Sequence, residues 1–261
     1  MTYLDPKTIN KLNTRQIRTF KKSAHNRSLQ MLTCYDYQSA QMLNETTLDL
    51  ILIGDSLGNV VLGYDYTIEV STETMILFSK AVKKGSPDKF VIADLPFGSY
   101  ASMELGLANS IKLFQQSGVE ALKLEGAYDH EIILIERLTQ IGIPVMGHIG
   151  LTPQSVHEQG GYFTHGKDEK SKTKLLKEAQ ALEAAGCFAI VLEFVEESLA
   201  KLITEKLTIP TIGIGSGIHT DGQVLVINDL LHLGKKDPPK FCKPIANLYQ
   251  TKKQLIEDYL K

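Results

Sequence analysis

Short runs of consecutive apolar residues recur along the chain and alternate with longer amphipathic stretches. The run LILI at 50–53 shows no alternation with polar residues, which is typical of a strand buried on both faces. Such runs therefore predict buried strands. They occur at 30–34, 49–54, 90–94, 120–125, 144–149, 188–194 and 210–214, with a less distinct eighth run at 223–227.

Amphipathic helices are predicted between these strands. Apolar residues recur every three or four positions in 102–117 and again in 172–185, as one face of a helix requires. Gly118 and Gly186 follow these stretches, at the position where a left-handed residue commonly ends a helix. A shorter helix is expected for 8–22.

The alternation of buried strands and helices predicts a parallel sheet. Eight such units favour a closed (β/α)8 TIM barrel in a single domain over an open doubly wound sheet. The length of 261 residues fits, because such barrels reach about 250 residues as one domain. No Gly-x-Gly-x-x-Gly follows the first strand, which disfavours a dinucleotide-binding domain. We predict the barrel over 29–261, after a separate segment at 1–28.

The segment 1–28 differs from the rest of the chain in charge. It holds seven Lys or Arg residues and one acidic residue, whereas the whole chain has a formal charge of −2. Such a segment can be a solvated helix, a subunit contact or a nucleic-acid-binding arm. No aromatic or Gly-rich RNA-binding pattern accompanies it, so we expect a helix or a contact in a homo-oligomer and no nucleic-acid partner.

The cysteines and the hydropathy of the chain indicate the cellular compartment in which the protein works. The three cysteines lie far apart without a Cys-x-x-Cys, so neither a disulfide framework nor a zinc site is expected. The first residues lack the apolar run of a signal peptide, and no apolar stretch approaches the ~18 residues of a membrane span. We expect a cytoplasmic protein without a membrane partner.

Polar residues stand at the ends of consecutive predicted strands. In a barrel of this kind the carboxyl ends of the strands meet at one mouth, where the chemistry takes place. Any one of these residues alone can be a helix cap or a salt-bridge partner. A whole series is harder to explain as structure, because buried charges are unfavourable unless paired or bound to metal. The series is Asp55 and Ser56, Asp94, Lys123 and Glu125, His148, and Glu193.

The residue types in this series suggest a metal ion. The carboxylates of Asp55, Asp94 and Glu125, without a cysteine, favour a hard cation such as Mg²⁺. A bound Mg²⁺ is a Lewis acid and would stabilise the enolate of a 2-oxo acid. Lys123 would neutralise the substrate carboxylate or the enolate oxygen, and Glu193, on a strand across the mouth, would be the base.

Three features have two interpretations each. His148, between Gly147 and Gly150, is either a hydrogen-bonded core histidine or a catalytic one. In Tyr35-Asp36-Tyr37 the side chains contact substrate, or Asp36 caps the next helix. The polar stretch 152–171 is either disordered or an active-site loop. We favour a mobile active-site loop, because the stretch lies at the catalytic end.

The same residues lie in motifs that resemble the ketopantoate hydroxymethyltransferase family. The resemblance runs from about residue 29 to 248. Its most specific parts are GDSLGNVVLGYD and GHIGLTPQS, and the others follow in the family's order. The motifs stand at 54–65, 93–97 (ADLPF), 122–126 (LKLEG), 147–155 and 191–193 (VLE).

The resemblance implies a (β/α)8 barrel that transfers a hydroxymethyl unit from 5,10-methylenetetrahydrofolate to 3-methyl-2-oxobutanoate, in pantothenate biosynthesis. By motif, Asp55 and Asp94 would hold one Mg²⁺ per subunit, with Glu125 completing the site directly or through water. Ser56 and Lys123, together with Asp55 and Asp94, would bind the oxo acid, and Glu193 would be the proton acceptor. The family is also typically a homo-oligomer, often a decamer.

Two rival functions remain. Phosphoenolpyruvate mutases and isocitrate lyases also bind Mg²⁺ and a 2-oxo acid in such barrels. This chain has Gly-His-Ile-Gly at 147–150 and lacks the Lys-Lys-Cys-Gly-His type of motif expected of isocitrate lyases, which favours the transferase. The other rival is a non-catalytic scaffold, and the presence of the whole set of candidate residues argues against it.

Overall fold

The computed structural model describes residues 11–261, and its strands form a closed barrel. Each strand pairs in parallel with the next one, and the last pairs with the first. The predicted (β/α)8 TIM barrel is confirmed, and every predicted strand end lies within two residues of the observed one. The strands are β1 (Leu29–Thr33), β2 (Leu50–Ile53), β3 (Phe90–Asp94), β4 (Ala121–Glu125), β5 (Val145–Gly150), β6 (Ala189–Glu193), β7 (Thr211–Ile214) and β8 (Gly222–Leu225).

Helices surround the barrel in the order expected from the sequence. Gly118 and Gly186 follow two of them with φ of 73° and 98°, so both predicted left-handed caps are confirmed. The helices are α1 (Thr14–Arg18), α2 (Lys22–His25), α3 (Tyr37–Asn44), α4 (Thr72–Gly85), α5 (Met103–Ser117), α6 (Asp129–Gln140), α7 (Val156–Gln159), α8 (Glu169–Ala184), α9 (Glu197–Lys206), α10 (Ile227–Leu230) and α11 (Leu248–Tyr259).

The stretch 152–171 is more ordered than its composition suggests. It contains a 3₁₀ turn at Pro153–Ser155 and the short helix α7, and its last residues already belong to α8. Gly160 and Gly161, with φ of 79° and 126°, end α7 and turn the chain. The part without a helix is therefore shorter than predicted. Its motion stays a prediction.

Two apolar cores hold the fold together. One fills the space between the barrel and its helices, and the other fills the barrel interior. Ile17 and Phe20 belong to the interior core and close the end of the barrel at which the strands begin. Of the helix expected at 8–22, residues 8–10 lie outside the described residues, and the rest divides into α1 and α2 around a turn that contains Phe20.

Two further sequence-based expectations concern thiols and membranes. Cys34, Cys187 and Cys242 are buried as free thiols, in line with the absence of a disulfide framework. Within residues 11–261, no helix is both long enough and apolar enough to cross a membrane.

Candidate active site

The predicted strand-end residues meet in one pocket at the carboxyl end of the barrel. The strand register places Asp94 beside Lys123, Glu125 beside His148, and Gly150 beside Glu193. Alternate residues of a strand share a face, so Lys123 and Glu125 both point into the barrel. The pocket is lined by all the predicted side chains, namely Asp55, Ser56, Asp94, Lys123, Glu125, His148 and Glu193.

Asp55 and Asp94 lie side by side and are almost completely buried. The backbone N–H of Asp55 donates to Oδ2 of Asp94 at 3.1 Å. Burial, and then the negative charges of Asp94 and Glu125, hold the pKa of Asp55 well above its usual range. Burial also raises the pKa of Asp94. The π-helical turn that follows, Gly58–Leu62, has no side-chain cap, so Asp55 does not have the structural role of a cap.

Lys123 supplies a buried positive charge next to these carboxylates. Its Nζ lies 3.2 Å from Oδ1 of Asp94 and 3.1 Å from Nδ1 of His148. Burial lowers the pKa of Lys123, but the charge of Asp94, followed by those of Glu125 and Asp55, raises it further, and the net shift is upward. The ammonium group therefore stays charged and available to an anionic substrate.

His148 lies between the two glutamates of the pocket. Its Nδ1 is 3.5 Å from Oε1 of Glu125, and its Nε2 is 3.2 Å from Oε2 of Glu193. Burial and the charge of Lys123 lower the pKa of His148, but the contacts with Glu125 and Glu193 outweigh them and raise it to about 9. The ring thus lies among the candidate catalytic groups, and its catalytic role stays a prediction.

Glu193 ends β6 and is the least buried carboxylate of the pocket, with its side chain 15% exposed. Its backbone oxygen accepts a hydrogen bond from the N–H of Leu151 at 2.8 Å. A Cβ on Gly150 would lie 2.2 Å from that oxygen, so only glycine fits there. The next residue, Phe194, has φ of 48°, a conformation that is strained for a bulky side chain and turns the chain at the mouth.

Two hydroxyl groups line the other side of the pocket. Tyr35 is buried and its hydroxyl lies 2.8 Å from Oγ of Ser56, so β1 and the segment after β2 are linked at the site. Asp36 turns away from this pair, because its Oδ1 accepts from the N–H of Ser39 and caps α3. Of the two interpretations of Asp36, the cap is therefore confirmed.

Sequence reasoning missed Gln154, which lies in the turn directly after β5. Its side chain is buried, and Nε2 donates to Oδ2 of Asp55 at 2.8 Å. Its backbone N–H donates to Oε2 of Glu125 at 3.1 Å. Burial raises the pKa of Glu125, but the contacts with His148, Lys123 and this N–H together lower it. The signal for Gln154 was its position, since it follows a strand at the same end of the barrel as the other candidates.

The carboxylates fit a magnesium ion in part. Among residues 11–261, no three His, Cys, Asp or Glu side chains are already arranged to hold a metal. Both oxygens of Glu125 have protein neighbours. In contrast, Oδ1 of Asp94 is buried and accepts no hydrogen bond within this described part of the chain. Mg²⁺ commonly takes one or two carboxylates and fills its other positions with water and substrate, a pattern that Asp55 and Asp94 can satisfy.

A closed (β/α)8 barrel with charged side chains at the carboxyl ends of its strands is the architecture of a barrel enzyme, in which those ends carry the chemistry. Residues 11–261 match the model of the ketopantoate hydroxymethyltransferase family, and the chain belongs to that family. The resemblance inferred from the motifs is thereby confirmed.

Relatives named 3-methyl-2-oxobutanoate hydroxymethyltransferase match almost the whole chain. One, from Leptospira interrogans, is 49% identical over 234 residues, which are 89% of this chain and 88% of the relative. Another, from a Geobacillus species, is 48% identical over 242 residues, 92% of this chain and 86% of the relative. The prediction of an enzyme of this transferase type is confirmed.

Solved structures of low sequence identity share the fold. A phosphoenolpyruvate phosphomutase from Streptomyces platensis subsp. rosaceus superposes with a TM-score of 0.65 at 12% identity, covering 95% of this chain and 88% of that one. A phosphonopyruvate hydrolase in complex with oxalate and Mg²⁺ gives 0.59 at 12% identity, covering 95% of this chain and 85% of the other. These likenesses concern the barrel alone.

Proposed function

We propose that this chain transfers a hydroxymethyl unit from 5,10-methylenetetrahydrofolate to 3-methyl-2-oxobutanoate and so forms 2-dehydropantoate, for pantothenate biosynthesis. The observation that carries the proposal is the single pocket in which two buried aspartates, a buried lysine and a more accessible glutamate meet. A 2-oxo acid needs these groups for enolisation: a cation site, a positive charge and a base.

Glu193 is the base in this proposal. It is the carboxylate of the pocket that solvent reaches best, and it is separated from Asp55 and Asp94 by its place across the barrel, which leaves it free for a proton. His148 lies between Glu193 and Glu125, and its Nε2 is 3.2 Å from Oε2 of Glu193. Glu193 takes the proton from C3 of the oxo acid, and the electron pair of that C–H bond forms the enolate.

Asp55 and Asp94 would hold Mg²⁺ through their oxygens, with Glu125 acting through water. When bound, the ion supplies Lewis acidity that favours negative charge on the oxygens of the oxo acid. Lys123 neutralises part of the same charge from the side of Asp94. Ser56, whose hydroxyl is oriented by Tyr35, contacts the oxo acid at the opposite wall.

The transfer itself balances with one water molecule. The enolate carbon C3 forms a bond to the methylene carbon of the folate. The bonds from that carbon to the two folate nitrogens break, water supplies the hydroxyl group, and the C3 proton and the second water proton end on the nitrogens. The products are 2-dehydropantoate and tetrahydrofolate.

We propose further that the protein works in the cytoplasm as a homo-oligomer, a decamer by family resemblance. The C-terminal helix α11 supports an oligomer, because it exposes apolar side chains on the surface of a single chain. Those side chains are Leu255, Ile256 and Tyr259, and Leu260, directly after the helix, is exposed as well. The basic segment 1–28 stays a candidate for a second contact, and its residues 1–10 lie outside the described residues.

The test is NMR of 3-methyl-2-oxobutanoate in D₂O with the enzyme, first without folate. We expect the C3 proton signal to disappear with Mg²⁺ and to persist with a chelator. Addition of methylenetetrahydrofolate should then yield 2-dehydropantoate. Exchange without any conversion on adding folate would favour a lyase or mutase of the same barrel class. Neither exchange nor product in the complete mixture would contradict the proposal.

A further inference from the structure

One residue from the loop after β5 reaches across the mouth of the barrel and contacts three strand ends, two through its side chain and one through its backbone. Nε2 of Gln154 donates to Oδ2 of Asp55 at 2.8 Å and to the backbone oxygen of Leu95 at 3.0 Å. Both partners are acceptors, so the amide nitrogen must face them and the orientation of the amide is fixed. The backbone N–H of the same residue donates to Oε2 of Glu125.

The other side of the amide is held by a tyrosine. The hydroxyl of Tyr100 donates to Oε1 of Gln154 at 2.7 Å and also lies 3.4 Å from the backbone oxygen of Glu125. The amide oxygen of Gln154 can only accept, so the Tyr100 hydroxyl is the donor, and Gln154 has a partner on both sides of its amide.

We propose that Gln154, held by Tyr100, is the positioning residue of the magnesium site. This inference rests on the proposed role of Asp55 and Asp94 as metal ligands. The hydrogen bond from Nε2 of Gln154 to Oδ2 of Asp55 fixes the rotamer of the Asp55 carboxylate. Its other oxygen, Oδ1, is then the one that faces the ion. Through its N–H, the same residue fixes Glu125, the third carboxylate of the set. Hydrogen bonds of this kind orient metal ligands, and their loss typically lowers metal affinity 10- to 100-fold.

The position of Gln154 also connects the metal site to the loop that follows. Gln154 lies in the turn Pro153–Ser155, and α7 begins at the next residue. His157 on α7 packs against Tyr66, whose ring centroid is 4.4 Å away, on the segment after β2. A change in the conformation of this loop would therefore alter the position of Asp55 through the side chain of Gln154.

The experiment compares Gln154→Met with a matched control, Gln159→Met. Gln159 belongs to the same loop, but its Nε2 donates to Oγ1 of Thr152 at 2.8 Å and contacts no carboxylate of the site. Mn²⁺, which takes the same oxygen ligands as Mg²⁺, is titrated into the metal-free chain and its free signal is followed by EPR. We expect 10- to 100-fold weaker binding for Gln154→Met and less than about a twofold change for the control.

A second variant protects the test against a folding defect. Tyr100→Phe removes only the hydroxyl that holds the amide, so binding should weaken in the same direction but less. Combined with Gln154→Met, it should add no further loss, because the hydroxyl acts through the amide. For both single variants, the Mg²⁺ concentration for half-maximal rate should rise while the rate at saturating Mg²⁺ is largely recovered, which a general structural defect would not produce.

The outcomes separate this inference from the proposed function. Unchanged Mn²⁺ affinity in Tyr100→Phe and in a folded Gln154→Met would overturn the positioning role. If Gln154→Met does not fold, the test depends on Tyr100→Phe alone. Unchanged Mn²⁺ affinity in Tyr100→Phe would then overturn the positioning role of Gln154. A wild-type chain that binds no Mn²⁺ would instead contradict the metal site on which the proposed function depends.

Discussion

The two ends of the barrel both contain buried charged side chains, but only one end satisfies them all. At the end where the strands begin, Oδ2 of Asp221 accepts from Nζ of Lys21 at 2.6 Å and from the N–H of Thr211 at 3.1 Å. Its Oδ1 accepts from the N–H of Lys22 at 2.9 Å. At the mouth, Oδ1 of Asp94 lies 3.2 Å from Nζ of Lys123, an ion pair, but it accepts no hydrogen bond from any residue between 11 and 261.

Two buried lysines, one at each end of the barrel, show the same difference. Lys89, at the closed end, is 1% exposed, and its Nζ donates to the backbone oxygens of Thr46 at 2.5 Å and Leu48 at 2.9 Å. Lys123, at the mouth, instead faces the carboxylates of the pocket. The first lysine ties together backbone segments, whereas the second leaves its charge directed into a cavity.

This difference separates structural from functional polar groups within one fold. A buried charge destabilises a protein unless its pairing and hydrogen bonding are complete, so a cluster that leaves buried polar atoms without a hydrogen bond is retained for a reason other than stability. Variants at the mouth should therefore change chemistry and metal binding with little loss of stability. Variants at the closed end should do the reverse.

The largest effect is expected for Glu193→Gln. The substitution keeps the shape of the side chain but removes the base, so exchange of the C3 proton should slow by about 10²- to 10⁴-fold. Binding of 3-methyl-2-oxobutanoate should persist, as measured by calorimetry. The matched control is Glu205→Gln on α9, where the side chain is 62% exposed. Exchange at the wild-type rate in Glu193→Gln would remove Glu193 as the base.

Asp94→Asn should weaken metal binding by at least about 100-fold, the upper end of the loss found when a supporting residue is removed. The free energy of unfolding without metal should change little, because two effects oppose each other. The raised pKa of Asp94 means that its ionised form is less favourable in the folded chain than in the unfolded one, so a neutral amide is better tolerated at neutral pH. The substitution also removes the buried ion pair between Asp94 and Lys123, which is unfavourable.

Mn²⁺ titration and urea unfolding of the metal-free protein measure the two effects of Asp94→Asn separately. A large loss of stability together with unchanged metal affinity would place Asp94 among the structural charges and would erase the contrast between the two ends.

The sequence predicted the barrel well because continuous apolar runs report burial on both faces. The carboxylates at the strand ends were visible for the same reason, since each interrupts such a run. Gln154 was not singled out despite its position after a strand, because an amide in a polar turn looks like any loop residue and its partner Asp55 lies 99 positions away. The division of the expected helix at 8–22 into two helices was also not predicted, because Phe20 turns toward a barrel interior that forms only in the folded chain.

At the closed end, Ile17→Ala should lower the free energy of unfolding by about 2 to 3 kcal/mol. Ile17 is completely buried against the interior core, so the substitution leaves a cavity. The rate per folded molecule should not change, because the site lies at the other end of the strands. Urea unfolding measures the loss, and Ile133→Ala on the surface of α6, where the residue is 54% exposed, is the control. Equal stability of the two variants would contradict the role of Ile17 in closing the barrel.

The smallest effect is expected for Asp221→Asn, at about 2 kcal/mol. Breaking a fully buried ion pair typically destabilises by about 3 to 5 kcal/mol, but the Lys21 side chain is 24% exposed, so water replaces part of the lost interaction. Asp237→Asn, at a position that is 99% exposed, should leave the free energy of unfolding unchanged in the same urea experiment. Asp221→Asn should retain the wild-type kcat and metal affinity, in contrast to Asp94→Asn. If Asp221→Asn were fully folded and still had a lower kcat, the two ends of the barrel would have to be coupled, because the two sites share no direct contact.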